Sequence, residues 1–88
     1  MTVKVEAFDA LSVFLRENLP NVRGFAGAFL VNLFYDPETR TVLLQEEWAS
    51  KEHHMAYLSF IQDAGAMDAL LGFVEGAPEV TYYERLVM

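Results

Sequence analysis

The fold of this chain is read outward from Gly24-Phe25-Ala26-Gly27-Ala28-Phe29-Leu30-Val31-Asn32-Leu33-Phe34-Tyr35. Phe25, Phe29, Val31, Leu33 and Tyr35 fall on or near one parity, and Ala26, Ala28, Leu30 and Phe34 fall on the other. Asn32 is the one polar member. Successive side chains of a strand point to opposite faces, so a strand apolar in both sets is expected to be covered on both sides. Asp36-Pro37-Glu38-Thr39 then predicts a turn, with proline at the second position. Thr41–Trp48 alternates as a second strand. Val42, Leu44, Glu46 and Trp48 share one face, and Leu43, Gln45 and Glu47 share the other. Together these segments predict a hairpin.

On the N-terminal side, Val3, Val5 and Ala7 alternate with Thr2, Lys4 and Glu6, which predicts a first strand over roughly 2–8. Asp9 is placed to cap a helix whose apolar stripe is Leu11, Phe14, Leu15 and Leu19 and which Pro20-Asn21 should stop. A rival reading starts this helix near Val5 and leaves no first strand. On the C-terminal side, Ser50 is an N-cap, and His54, Tyr57, Leu58 and Ile61 form the stripe of the next helix. Gly65 interrupts it. Met67, Leu70, Leu71 and Val74 predict a second helical piece, ended by Gly76 and Pro78. Val80–Leu86 is expected to close the chain as a strand, with Tyr82 and Tyr83 on opposite faces.

The order strand, helix, strand, strand, helix pair, strand fits an α+β fold: one ferredoxin-like domain over 1–88, with a four-stranded antiparallel sheet and its helices on one face. Helices this short cannot wrap both sides of the sheet. A second copy can cover the remaining apolar face, so a two-fold homodimer is expected. Composition supports the idea, since 53% of the 88 residues are hydrophobic, with seven Phe, four Tyr and one Trp. That is much apolar surface for a small chain to hide alone.

Six basic residues against thirteen acidic ones leave a net charge of −7, which repels phosphate backbones, so no nucleic-acid partner is expected. The absence of cysteine excludes a disulfide framework and thiolate chemistry. No apolar run approaches the ~20 residues of a membrane span, and the first residues do not resemble a signal peptide, so no membrane association and a cytoplasmic location are expected.

The chemistry-bearing block is Trp48, Ser50, His54 and Tyr57, with Phe60 or Ile61 continuing inward. It places an imidazole at the edge of an aromatic space between sheet and helices. An imidazole titrates near neutrality and can take a proton from a bound phenol or hydroxy-ketone. The plainer alternative is that Trp48 is core and His54 merely tops its helix. His53 and His54 diverge by about 100° on a helix, and no His-x-x-x-His pair accompanies them, so no metal site is expected. Glu46 and Glu47 face opposite ways. One of them is expected at the cavity or the dimer seam, held in a structural ion pair by Arg23, Arg40 or Arg85. Asn32 could anchor a ligand carbonyl or bond across the sheet or between subunits. The glycines do not form a dinucleotide fingerprint, and no flavin, nicotinamide or nucleotide cofactor is legible.

Glu47-Trp48-Ala49-Ser50-Lys51-Glu52-His53-His54-Met55-Ala56-Tyr57 resembles the Glu-Trp-x-Ser signature, followed by Glu, His and Tyr, of the antibiotic-biosynthesis/quinol monooxygenase family. Leu19–Gly27, Gly65–Leu70, Ala77-Pro78 and Tyr82-Tyr83-Glu84 extend the resemblance over nearly the whole chain after Val13, as weaker pattern. The resemblance implies a dimeric α/β barrel with a pocket between sheet and helices in each subunit, binding a small apolar or aromatic molecule. It implies oxidation of a phenolic or quinol-like compound to a quinone without metal or flavin. By position, His54 would be the general base or polar anchor, Trp48 the pocket wall and Arg23 a residue near the mouth, with Tyr57, Phe60 and Asn32 as further substrate-binding positions. Related members degrade haem or isomerise small ketones, so the fold alone does not fix the reaction. Four positions depart from the pattern: Val22 for Thr, Ala28 for Cys, Phe60 for Trp and Ile61 for Arg. The lost Thr and Arg leave a less polar cavity, which suits a more apolar substrate or a non-catalytic dimeric ligand-binding or assembly domain of the same fold.

Overall fold

Two long strands joined by a built turn carry the structure, a computed structural model that describes all of Met1–Met88. Strand β1 is Thr2–Val3, helix α1 Phe8–Arg23, β2 Ala28–Asp36 and β3 Thr41–Trp48. Helix α2 is Lys51–Asp63, α3 Ala66–Leu71 and β4 Val74–Glu75. The sheet order is β2-β3-β1-β4 and every pairing is antiparallel. The architecture is thus α+β, an open four-stranded antiparallel sheet with helices, and it is compatible with the ferredoxin-like arrangement.

The hairpin forms as its alternation requires, with Val31 opposite Glu46, Leu33 opposite Leu44 and Tyr35 opposite Val42. Its turn is held by Asp36, whose carboxylate accepts from the Glu38 N–H and the Thr39 hydroxyl, each at 3.0 Å. Arg40 leaves the turn at φ 55°, an uncommon left-handed conformation for a residue with a side chain. Its guanidinium donates to the Val3 carbonyl at 3.1 Å, tying the turn to β1. The register shifts between Ala28 and Leu30, so Phe29 bulges out.

Register divides the sheet into two faces. The inner face carries Val3, Val31, Leu33, Tyr35, Val42, Leu44, Glu46, Trp48 and Val74. On it Leu11 and Leu15 of α1 pack with Val3 and Val42, and Phe14, Leu70 and Phe73 close around them. The Phe8 ring stacks on Tyr35 with centroids 3.9 Å apart. The outer face carries Leu30, Asn32, Phe34, Leu43, Gln45 and Glu47, and no helix covers it. Phe34 is 53% and Leu43 60% exposed, so the expected burial of β2 on both faces is absent from the single chain.

The element boundaries differ from expectation in four places. The first strand stops at Val3 instead of residue 8, because Glu6 takes φ 62° and turns Val5 out to solvent. Helix α1 begins at Phe8 behind Ala7, so Asp9 lies in the first turn and is not the cap. There its charge faces the positive end of the helix dipole. The same helix runs through Pro20 to Arg23, because tertiary contacts hold its last turn: Val22 is buried and the Arg23 guanidinium donates to the Val31 carbonyl at 3.1 Å.

The last two corrections concern the C-terminal third. The second helical piece ends at Leu71, and Val74 is instead buried in β4 opposite Val3. The strand expected over Val80–Leu86 is absent, and residues 77–88 have no regular structure. Gly76, at φ 70°, turns the chain out of the sheet, and Pro78 has no N–H to continue a ladder. With β1 and β4 only two residues long, β3 gains a neighbour on that side only near Thr41.

Candidate functional site

The inner ends of β3 and α2 meet over one titratable cluster. Ser50 caps α2 as its sequence predicts, accepting from the His53 N–H at 3.1 Å. One turn into the helix, His54 then points inward and His53 points out, where its Nδ1 lies 2.6 Å from the Ser50 hydroxyl. Gly27, at φ 88°, lets the α1–β2 connection pass against this first turn. A Cβ there would sit 2.5 Å from the His53 ring. The Gly27 carbonyl also accepts from the Ala49 N–H at 2.7 Å.

His54 is the one polar side chain in the buried set, at 8% exposure. Its Nδ1 lies 2.8 Å from the Tyr82 hydroxyl. On the other side Nε2 lies 3.8 Å from Glu46 Oε1, within ion-pair range but beyond a hydrogen bond. The Trp48 indole N–H donates to the same carboxylate oxygen at 2.9 Å. A neutral ring that carries its proton on Nε2, facing Glu46, leaves Nδ1 free to accept from the phenol. Burial lowers the imidazole pKa from its ordinary value, against the opposing pull of Glu46. The favoured state at neutral pH is therefore the uncharged ring, the form that accepts a proton.

Aromatic rings wall this group. Trp48 lies 5.2 Å from the His54 ring and 5.4 Å from Tyr57. Phe25 bridges them, 5.2 Å from Tyr57, 5.6 Å from Phe60 and 6.2 Å from Trp48. Burial, with a second contribution from the Glu46 charge, pushes the Tyr57 phenol up to about 12. Its hydroxyl therefore stays protonated across the neutral range.

Four of the residues singled out from sequence, Trp48, His54, Tyr57 and Phe60, come together here. Two do not. Asn32 lies on the outer face, 3.5 Å from the Gln45 side-chain oxygen across the hairpin, so the sheet separates it from His54. Arg23 is engaged by the Val31 carbonyl on the far side of β2. The two carboxylates divide as their parity predicts. Glu47 forms an ion pair with Arg85, whereas Glu46 turns inward and is held by Trp48 and His54 in place of an arginine.

Sequence reasoning missed Tyr82 and Phe25 as site residues. Phe25 was readable in principle, since it leads into β2 on the helix side. Tyr82 was not, because it reaches His54 across 28 residues from a segment with no periodic structure. Two hollows of about 350 Å³ and 360 Å³ lie elsewhere, one beside the β2–β3 turn at Phe34 and Leu43, the other between Met1 and Glu79. No helix is long and apolar enough to cross a membrane. No protein-family model, no curated protein and no solved structure matches this chain.

Proposed function

We propose that the chain is a cofactor-free monooxygenase that oxidises a phenolic or quinol-like small molecule to a quinone, with His54 as the base. The observation that carries the reading is a buried neutral imidazole with a carboxylate on one nitrogen and a phenol on the other. His54 Nδ1 takes the substrate O–H proton, and Glu46, 3.8 Å from Nε2, steadies the resulting imidazolium. The phenolate is then electron-rich enough to reduce dioxygen directly. One oxygen atom enters the ring and the other leaves as water, so one phenol and one O2 yield one quinone and one H2O. The surrounding rings suit a planar aromatic anion and limit water around it. The Glu-Trp-x-Ser…His…Tyr block supports the same reading from sequence.

The outer face completes the proposal. A second copy seated on Phe34 and Leu43 by a two-fold axis covers the apolar surface that one chain leaves open, giving the dimeric α/β barrel in its ferredoxin-like form. The reading is tested by oxygen uptake with hydroquinone, using 18O2 to follow one labelled atom into the quinone. His54→Ala is expected to cut uptake sharply while the dimer persists. Unchanged uptake removes His54 from the mechanism.

A second reading has its own support. The ring cluster is closely packed, and Val22 and Ile61 stand where the family pattern has polar residues. A non-catalytic dimeric domain that binds an apolar ligand, or serves assembly, fits both. It predicts ligand-dependent shifts in melting temperature with no turnover.

A further inference from the structure

The C-terminal segment is attached in an unusual way. Residues 77–88 form no helix or strand, and no backbone–backbone hydrogen bond holds them. Side chains alone fix the segment. Tyr82 reaches His54 Nδ1 at 2.8 Å and meets the imidazole edge-on, with ring centroids 5.4 Å apart. The Lys51 ammonium sits 4.9 Å from the centre of the same ring, a cation facing its π-surface. Three residues on, Arg85 pairs with Glu47, and both partners are exposed. The neighbours Tyr83 and Val87 stand 88% and 98% exposed, so nothing else in the segment is buried deeply enough to secure it. A segment held by so few contacts opens at low free-energy cost.

The one interior contact of this tail is therefore a phenol on the nitrogen that the proposed chemistry needs. A free phenol offers His54 the same O–H donor, and it offers Lys51 the same ring face. We infer that Tyr82 is a tethered, displaceable occupant of a phenol-binding seat formed by His54 and Lys51, and that the C-terminal segment caps this seat until a phenolic ligand replaces it. This rests on the reading of His54 as the group that meets the substrate hydroxyl, and it assigns a ligand class and a form of self-competition to that site. A tethered competitor acts at an effective concentration in the millimolar range, so it must weaken binding of a free phenol.

The test uses p-cresol, the tyrosine side chain as a free molecule, titrated while the His54 ring resonances are followed by NMR. His53→Gln assigns which histidine responds. Tyr82→Ala is expected to bind p-cresol at least about tenfold more tightly than the unaltered chain, because the seat stands open. Tyr82→Phe keeps the ring and removes the hydroxyl, and should give a smaller gain of roughly threefold. The methyl ether 4-methylanisole, which has no O–H to donate, should leave the His54 signals in place in all three proteins. Circular dichroism checks that the variants keep their fold, and Tyr82 is 41% exposed in a segment without regular structure. Equal p-cresol affinity in Tyr82→Ala and the unaltered chain overturns the proposal, and so does equal response to p-cresol and its ether. Oxygen uptake separates this result from the function above. Tighter p-cresol binding with no uptake of oxygen sustains the seat and sinks the oxygenase. Oxygen uptake by a chain whose cresol affinity ignores Tyr82 does the reverse.

Discussion

The two faces of the hairpin are built from the same strands and have opposite fates. On the inner face, Val31 and Val42 are 4% and 1% exposed beneath α1, and the polar groups among the rings are matched one to another. On the outer face, Phe34 and Leu43 lie opposite each other in register and both stand open. Alternation alone cannot produce this difference, because both parities of β2 are apolar. Helix length produces it. One helix and a helix pair cover one side of a four-stranded sheet, and the other side is left for something outside the chain. Coverage, and not hydrophobicity, is what separates core from surface here.

The sharpest way to break this contrast is a pair of truncations. Leu11→Ala, at a fully buried position, is expected to cost about 2–5 kcal/mol in urea unfolding. Phe34→Ala in dilute solution should cost no more than about 0.5 kcal/mol. Comparable losses would mean that the outer face is covered even at that dilution.

Within the inner face, Trp48→Phe keeps a ring but removes the N–H that the Glu46 carboxylate accepts, and should cost roughly 1–3 kcal/mol. On the outer face, the double change Phe34→Lys with Leu43→Lys should weaken self-association at least about tenfold by sedimentation, since like charges would meet across the two-fold axis. A wild-type chain that stays monomeric at high concentration would remove the second copy altogether.

The pH dependence probes the inner cluster alone. Tyr57 is raised in the folded chain from its ordinary value of 10 to about 12, so the folded state keeps a proton that the unfolded state loses. Its contribution to stability is fully present below pH 10 and is lost as the pH rises towards 12. Tyr57→Phe should flatten that alkaline limb, read by phenolate absorbance together with unfolding midpoints. The smallest expected effect is that of Arg85→Ala: its ion pair with Glu47 is exposed, so the loss should stay below about 1 kcal/mol.

What was legible in the sequence follows the range of the interactions involved. The hairpin, the Ser50 cap and the gathering of Trp48, His54, Tyr57 and Phe60 depend on spacing within a few residues, and spacing is visible in a string of letters. The inward turn of Glu46 was readable too, since it shares a strand face with Trp48. The boundaries that misled were decided at a distance. Pro20 did not end its helix, because Val22 and Arg23 are held by the sheet. The closing strand failed because β1, shortened by the reversal at Glu6, offered it too little edge. Tyr82 joined the site through a contact that no local pattern announces.

Gly27 limits how this protein can be redesigned. A methyl group there would meet the Cβ of His53 at 2.7 Å as well as its ring, so relief would need the whole first turn of α2 to retreat. His54 is the next residue, and it would retreat as well, away from its carboxylate. Mutagenesis aimed at a roomier binding space should therefore leave position 27 untouched and start at Phe60, whose ring is 55% exposed and can be trimmed without disturbing the backbone that aims the imidazole.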